Sequence, residues 1–171
     1  MQNEVKNSEY IYKGKVINVR IDDVEREDGS VFKKEVVEYP QSVVIIALTD
    51  DDYLIMEKQY RHATGETLYE LPAGKVDENE SPEVTAVREL EEETGYRASG
   101  VTRLFSGYTT PGMCTEYMHF YLAAGLEKGT ANMEEDEQIE IELVPLEKAR
   151  EMIKDGIIRD NKTALGILLV S

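Results

Sequence analysis

Acidic side chains are concentrated between residues 74 and 96, in the stretch GKVDENESPEVTAVRELEEETGY. Glu89, Glu92 and Glu93 are predicted to share one face of a helix, because residues three and four apart are neighbours there. Like charges at this spacing repel by about 0.2–0.5 kcal/mol per pair, and a helix C-terminus is already negative. A divalent cation would offset the repulsion. Carboxylates without thiolate or imidazole ligands favour Mg²⁺, or Mn²⁺ as a substitute, over Zn²⁺.

A run of glutamates has a simpler interpretation as a solvated, charge-rich helix face, which is its commoner meaning. Glu91 is expected to point into solvent in either case. Arg88 lies four residues before Glu92 and can orient that carboxylate through a charge-assisted hydrogen bond. Composition alone leaves both interpretations open.

One helix is expected to carry these glutamates. Ser81 as N-cap and Pro82 at the first position predict where it begins, and Gly95 predicts where it ends. Four residues at three- and four-residue spacing predict a single stripe facing the core: Val84, Val87, Leu90 and Thr94.

The rest of the chain alternates between strand and helix patterns, which predicts an α/β or α+β fold with a mixed sheet. Strands are expected at residues 10–21, 31–39, 42–48, 53–59, 103–108, 117–123 and 139–144, and further helices at 146–155 and 162–170. The sequence Glu27-Asp28-Gly29-Ser30 predicts a turn between the first two strands. Residues 1–40 are therefore expected to form a small antiparallel β meander that precedes a domain over 41–171.

Composition limits the classes of function. The chain has 171 residues, 32% charged residues and a net charge of −16, which disfavours binding to nucleic acid or to anionic membranes. Cys114 is the only cysteine, as is typical of a reducing cytoplasm. We expect a cytoplasmic protein, because there is no signal-peptide pattern and no apolar run of ~20 residues.

The acidic stretch resembles the box of the Nudix hydrolase family, and it carries every defined position of that 23-residue pattern: Gly74, Glu80, Arg88, Glu89, Leu90, Glu92, Glu93, Gly95 and the bulky Tyr96. The resemblance implies an α/β/α sandwich with a mixed sheet, in which a strand, a loop and a helix hold the box. It also implies metal-dependent hydrolysis of a nucleoside diphosphate linked to another moiety.

Roles for individual residues follow from this resemblance. It implies three metal ligands in the box region: the backbone carbonyl of Ala73 and the carboxylates of Glu89 and Glu93. Glu92 is implied as a catalytic carboxylate that also helps to hold the cations, and Glu80 as a brace for Arg88. Gly74 is expected to let the backbone pass close to the cations.

The resemblance extends outside the box to the ADP-ribose pyrophosphatase branch. Its signatures are EKQYR at 57–61, ELPAG at 70–74, a proline at 111 and NKTAL at 161–165. This branch implies hydrolysis of ADP-ribose to AMP and ribose 5-phosphate. Hydrolases of GDP-mannose and other nucleotide sugars share several signatures and remain an alternative. A non-catalytic ligand sensor is a further alternative, which the intact box disfavours.

Substrate contacts are also implied by the branch. Arg61 would bind near the phosphates or the adenine, although a surface ion pair is the simpler interpretation. Glu116 would accept hydrogen bonds from a ribose, or be an ordinary exposed glutamate at a strand end. Gly112 would let its loop approach the ligand. The branch also implies a homodimer with exchanged N-terminal strands, in which Lys34 or its neighbours reach the partner's site.

The acidic loop at 134–137 is expected to supply the remaining groups. Alignment with the branch through the following strand implies Glu135 as the base that deprotonates the attacking water and Glu137 as a metal ligand. A loop suits this role because it can close once substrate and metal are bound. An ordinary solvated acidic loop is the alternative interpretation.

Overall fold

The computed structural model describes residues 4–131 and 138–170. These residues form ten strands, three α-helices and one π-helical segment. The strands are β1 (Glu4–Lys13), β2 (Asn18–Glu25), β3 (Val31–Glu38), β4 (Ser42–Ala47), β5 (Tyr53–Arg61), β6 (Glu66–Glu70), β7 (Ala73–Lys75), β8 (Tyr96–Tyr108), β9 (Tyr117–Lys128) and β10 (Ile139–Pro145). The helices are α1 (Pro82–Glu89), α2 (Leu146–Lys154) and α3 (Asn161–Leu169), and the π-helical segment is Leu90–Thr94.

The chain divides into two compact units. The first contains the residues up to Gln41 together with Gly107–Met118, and the second contains Ser42–Ser106 and the residues from His119 onward. The expected combination of strands and helices is confirmed.

The first unit is built on an antiparallel meander, in the order β1-β2-β3. The predicted turn joins β2 to β3. Gly29 has a φ of 79°, a conformation that glycine adopts without strain. The Asp28 carboxylate accepts a hydrogen bond from the Ser30 N–H at 2.9 Å, which closes the turn.

The prediction of one strand over residues 10–21 is wrong, because a turn divides this segment between β1 and β2. The Gly14 N–H donates to the Ile17 carbonyl at 2.9 Å and closes that turn. The strand β1 begins at Glu4, and its polar sequence lacks the alternation that would have predicted it.

The segment Gly107–Met118 pairs with β3 inside the first unit. The Val37 N–H donates to the Met113 carbonyl at 2.8 Å, and the Thr115 N–H donates to the Val37 carbonyl at 3.0 Å. The loop that carries Gly112 and Glu116, two expected substrate contacts, therefore belongs to the same compact unit as the N-terminal meander.

The second unit contains two sheets, with the strand orders β10-β5-β6 and β7-β4-β9-β8. The last two residues of β8 and the first two of β9 are assigned to the first unit. Strand β4 is contacted by both α1 and α3, and all six of its residues are buried. This confirms the prediction that the apolar run at 42–48 is a strand covered on both faces. Strands β6 and β7 were not predicted, because both are short and β7 contains Gly74 and follows Pro72.

The predicted helices are present. Asp160 caps α3 by accepting from the Thr163 N–H at 3.0 Å, and Gly156 follows α2 with a φ of 70°. No helix in the described parts of the chain is long and apolar enough to cross a membrane.

The predicted apolar stripe on α1 is wrong at its first position. Val84 is 56% exposed, whereas Thr85, Ala86 and Leu90 are fully buried. The small side chain of Ala86 faces the core where α1 contacts β4. The hydroxyl of Thr85 donates to Glu80 at 2.6 Å, so this polar residue is satisfied inside the fold.

Candidate active site

The box is held by a strand, a loop and a helix, as its pattern predicts. Strand β7 pairs antiparallel with β4, and α1 packs against both strands. The helix begins at its predicted cap, where the Ser81 side chain accepts from the Val84 N–H at 3.4 Å. Gly95 ends the helical region with a φ of 74°. This arrangement fixes the start of the helix against the strand that carries Ala73 and Gly74.

Gly74 lies directly against the carboxylate of Glu89. A Cβ atom at position 74 would be 2.0 Å from Cδ of Glu89, which is far inside van der Waals contact. The glycine therefore gives this carboxylate its place beside the strand, and the Glu89 side chain is only 15% exposed. Gly74 is expected from the sequence to let the backbone approach the cations, and in the structure it contacts Glu89, one of their predicted ligands.

We expect Gly74→Ala to displace the Glu89 carboxylate. Because that carboxylate ends a flexible side chain, it can swing aside at a cost of about 1 kcal/mol in stability. A displaced ligand should lower kcat on the order of a hundredfold. Thermal unfolding and initial rates would measure both effects. Gly100→Ala is the matched control, because a Cβ at position 100 meets nothing within 4 Å. Equal behaviour of the two variants would contradict this role of Gly74.

Arg88 organises the acidic residues around it. Its guanidinium donates to Glu80 at 3.0 and 3.2 Å and to Glu92 at 2.8 Å, and it lies 3.0 Å from the carboxylate of Glu89. The bond from Arg88 holds the pKa of Glu80 below its usual value. The expected contacts of Arg88 with Glu80 and Glu92 are therefore present, and one cation offsets part of the repulsion between the box glutamates.

The end of the box helix differs from the expected α-helix. Leu90–Thr94 is π-helical, and the Thr94 hydroxyl donates to the Leu90 carbonyl at 2.5 Å. Such segments are frequent at functional sites and change which side chains share a face. Glu93 is 5% exposed, whereas the Glu92 side chain is 42% exposed. The two glutamates therefore lie in different environments, which an α-helical spacing does not predict.

Glu93 bridges the end of the helix to the start of β7. Its carboxylate accepts from the Ala73 N–H at 3.0 Å. Two of the implied metal-binding residues are thus in direct contact, and Glu89 is held beside Gly74, the next residue along the strand. Ala73, Glu89 and Glu93 are gathered at one place in the second unit.

Glu57 was not predicted as a site residue, although it lies in contact with Glu93. It is 2% exposed, and its position on β5 places it on the same face as Ile55, which packs against Leu90. A carboxylate at the end of the buried run LIME was the signal in the sequence. Directly across the sheet from Glu57 lies Glu70, which is 1% exposed. Glu57, Glu70 and Glu93 therefore form a buried acidic cluster.

The charges of this cluster are unevenly compensated. Burial disfavours the ionised form of Glu70, but hydrogen bonds from Arg61 and the charge of Lys162 outweigh it and lower the pKa of this carboxyl. Among the residues that the structure describes, Glu57 has no comparable partner, and its buried Oε1 atom accepts no hydrogen bond. Burial raises the pKa of Glu57 to about 8, although the contact with Glu93 acts in the opposite direction.

A divalent cation fits this region chemically. No group of three or more His, Cys, Asp or Glu side chains within residues 4–131 and 138–170 is arranged as a metal site. However, Oε1 of Glu57 has no hydrogen-bond partner within those same ranges, and the carboxylate in contact with Glu57 belongs to Glu93. Two adjacent buried carboxylates need a proton or a cation between them. The residues gathered here supply only oxygen donors, which suits Mg²⁺.

Arg61 forms an ion pair, but its partner is not on the surface. The guanidinium donates through Nε and Nη2 to the buried carboxylate of Glu70, with both distances 2.7 Å. The Arg61 side chain itself is 41% exposed. The buried carboxylate thus holds a partly exposed guanidinium in one orientation.

Three implied substrate contacts lie in the first unit. Glu116 accepts from the Thr109 hydroxyl at 2.9 Å. A Cβ at Gly112 would meet none of the described residues within 4 Å, so these residues give no steric reason for a glycine there. Lys34 lies in β3, with its amino group 5.6 Å from the centre of the Phe32 ring.

Glu135 and Glu137 lie outside the described residues, so both roles stay predictions.

Comparison with known proteins establishes the family. Residues 38–164 match the family described as the NUDIX domain, which covers most of the chain. The protein therefore belongs to the Nudix family.

Curated relatives cover nearly the same length. An ADP-ribose pyrophosphatase of Bacillus subtilis is 42% identical, over 93% of this chain and 87% of the relative. A methanol dehydrogenase activator of Bacillus methanolicus is 40% identical, over 94% of this chain and 88% of the relative. A GDP-mannose pyrophosphatase of Escherichia coli is 39% identical, over 84% of this chain and 81% of the relative.

A solved structure supports the fold independently. A protein described as an ADP compounds hydrolase superposes with a TM-score of 0.89, covering 99% of this chain and 92% of that chain. The sequence identity is 24%, so this likeness bears on the fold alone. It agrees with the Nudix fold expected from the box.

Proposed function

We propose that this protein is a Mg²⁺-dependent hydrolase that cleaves the diphosphate of ADP-ribose into AMP and ribose 5-phosphate. The observation that carries the proposal is the gathering of Ala73, Glu89 and Glu93 at the junction of β7 and the box helix. The Bacillus subtilis relative, an ADP-ribose pyrophosphatase at 42% identity, supports the choice of substrate.

In this proposal Glu89, Glu93 and the Ala73 carbonyl hold the cation, with Mn²⁺ as a possible substitute. A bound divalent cation supplies charge neutralisation of the diphosphate and activation of water. Arg88 keeps Glu92 and Glu89 oriented through its bonds of 2.8 and 3.0 Å. Glu135 is kept as the proposed base and Glu137 as a further ligand, on the strength of the family resemblance.

Arg61 is proposed to bind the substrate's phosphates. Its bonds to Glu70 use Nε and Nη2, so Nη1 keeps its donors for a ligand as far as the described residues show. A guanidinium fixed in this way loses little conformational freedom when it binds an anion. Glu116 is proposed to contact a ribose, with Gly112 giving the loop room to approach.

A panel of nucleoside diphosphate sugars tests the substrate. With Mg²⁺ present, we expect kcat/KM for ADP-ribose to exceed that for GDP-mannose, with AMP and ribose 5-phosphate as products. Faster cleavage of GDP-mannose would overturn the choice of substrate and favour the alternative that the Escherichia coli relative supports. Binding without any cleavage would favour a ligand sensor. The methanol dehydrogenase activator does not decide the question, because its name specifies no bond that is cleaved.

We also propose that the N-terminal strands mediate a homodimer. All ten residues of β1 are exposed, including Val5, Ile11 and Tyr12, each more than half exposed. A three-stranded meander with apolar residues in solvent is a poor isolated structure and a good site for pairing with a second copy. Lys34 on β3 would then be placed to reach the partner's site.

Light scattering coupled to size exclusion is expected to give twice the chain mass of 19.4 kDa. Ile11→Lys should shift the protein towards the monomer, because burying an unpaired charge in an interface is costly. Leu168→Lys on α3, which adds the same charge at an exposed aliphatic position, is the control for changed charge alone. A monomeric wild-type protein at micromolar concentration would contradict the dimer.

A further inference from the structure

Helix α3 is hydrogen-bonded to residue 71, just before the box, although some ninety residues separate them in sequence. The Thr163 hydroxyl accepts from the Leu71 N–H at 2.8 Å, and Thr163 is fully buried. A Cβ at Gly166 would lie 2.6 Å from Cδ1 of Leu71, so glycine allows the helix to approach closely. The start of α3 is therefore fixed relative to residues 70 and 71.

Lys162 uses this position to contact the buried carboxylate of Glu70. Its Nζ atom binds Oε2 of Glu70 and lies 2.8 Å from the carboxylate of Asp160, the N-cap of α3. The Lys162 side chain is 15% exposed, and that of Glu70 is 2% exposed. A lysine buried to this extent is held by both carboxylates and has little surface to offer a ligand.

The same oxygen of Glu70 is shared with Arg61. Nη2 of Arg61 donates to Oε2 of Glu70 at 2.7 Å, and Lys162 binds that atom as well. A carboxylate has about four lone-pair sites, so it can accept from both cations. Because Lys162 is anchored by helix α3, it fixes the oxygen to which Arg61 is bound.

We propose that Lys162 is a positioning residue that sets the orientation of Arg61 through Glu70. The inference rests on the proposed function to the extent that Arg61 binds the phosphates of the substrate. Without Lys162, Oε2 of Glu70 loses its second partner, and the carboxylate can rotate together with the bidentate guanidinium. The affinity for a diphosphate substrate should fall, while the metal-binding residues on β7 and the box helix stay in place.

The test compares Lys162→Met with Lys162→Arg, which keeps the charge and the donors. We expect Lys162→Met to raise KM for the best-cleaved substrate about tenfold, the effect of losing one charged hydrogen bond, with kcat within about twofold. Lys162→Arg should recover most of the affinity. Lys148→Met is the matched control, because Lys148 forms an exposed pair with Glu151 on α2.

A second readout needs no substrate. The Nε–H of Arg61, bonded to Glu70, should give a protected ¹⁵N resonance in the wild-type protein and in Lys162→Arg. We expect that resonance to broaden or disappear in Lys162→Met. If that variant does not fold, Lys162→Gln, which keeps a neutral donor, takes its place in the same comparison.

The outcomes separate the inference from the proposed function. An unchanged Arg61 resonance in the folded variant would overturn the inference, whichever substrate is cleaved. A raised KM with that resonance unchanged would also overturn it and show that Lys162 contacts the substrate itself. An equal fall in kcat and an equal rise in KM in Lys162→Met and Lys162→Arg would indicate a structural role only, and would also overturn the inference. If no diphosphate is cleaved, the proposed function fails while the resonance still decides the inference.

Discussion

Glu93→Gln is expected to lower kcat by about a thousandfold, the scale of the transition-state stabilisation that a bound cation supplies. Glutamine has nearly the same size, and its amide oxygen can still accept from the Ala73 N–H, which lies 3.0 Å from the Glu93 carboxylate. The junction between β7 and the box helix should therefore persist. What is lost is the negative charge that the cation needs.

The measurement is a steady-state rate over a wide range of Mg²⁺ concentration. Glu91→Gln is the matched control, because Glu91 lies two residues away and bonds the exposed Arg97 at 2.7 Å. We expect the control to retain the wild-type rate. A Glu93→Gln variant with a near-normal kcat at saturating Mg²⁺ would remove Glu93 from the metal-binding set.

The second large effect concerns stability and pH in the metal-free protein. Burial raises the pKa of Glu57 to about 8, above the value of 4.5 for a free glutamic acid. Between pH 4.5 and about 8, Glu57 stays protonated in the folded state but ionises in the unfolded state. The unfolded state therefore binds fewer protons. As far as Glu57 is concerned, stability should therefore be highest below about pH 4.5 and decline as the pH rises from there to about 8. At ~1.4 kcal/mol per pKa unit, the decline amounts to a few kcal/mol.

Glu57→Gln should remove most of this decline, because glutamine stays neutral and can donate to Glu93. Chemical unfolding in the presence of a chelator, at several values between pH 5 and 8.5, gives the free energy of unfolding for both proteins. We expect the variant to be the more stable one at pH 8.5. Parallel pH profiles for the two proteins would contradict a buried, protonated Glu57.

Local signals in the sequence were sufficient to locate the box helix and the turn between β2 and β3. The Ser81 cap, the Gly95 end and the Asp28-Gly29 turn each act through neighbouring backbone groups, and all three are present. The spacing of the box led to the family, which residues 38–164 confirm. The fold could therefore be reached largely from short-range patterns.

Features that depend on tertiary contacts were missed. The π-helical segment cannot be foreseen from an α-helical period. In it the Thr94 hydroxyl donates to the Leu90 carbonyl, and Glu93 is buried beside Ala73. Glu57 belongs to the signature EKQYR at 57–61, but only its buried contact with Glu93 makes it part of the candidate active site. The link from Lys162 to Glu70 joins positions 92 residues apart, beyond the reach of any local pattern.

Phosphorus NMR of ADP-ribose incubated with the protein tests the central claim most directly. With Mg²⁺ present, the two diphosphate resonances should be replaced by the two phosphomonoester resonances of AMP and ribose 5-phosphate. A chelator added at the start should leave the diphosphate intact, and excess Mg²⁺ should restore cleavage. Persistence of the diphosphate with Mg²⁺, or equal cleavage with and without the chelator, would contradict metal-dependent hydrolysis of ADP-ribose at this site.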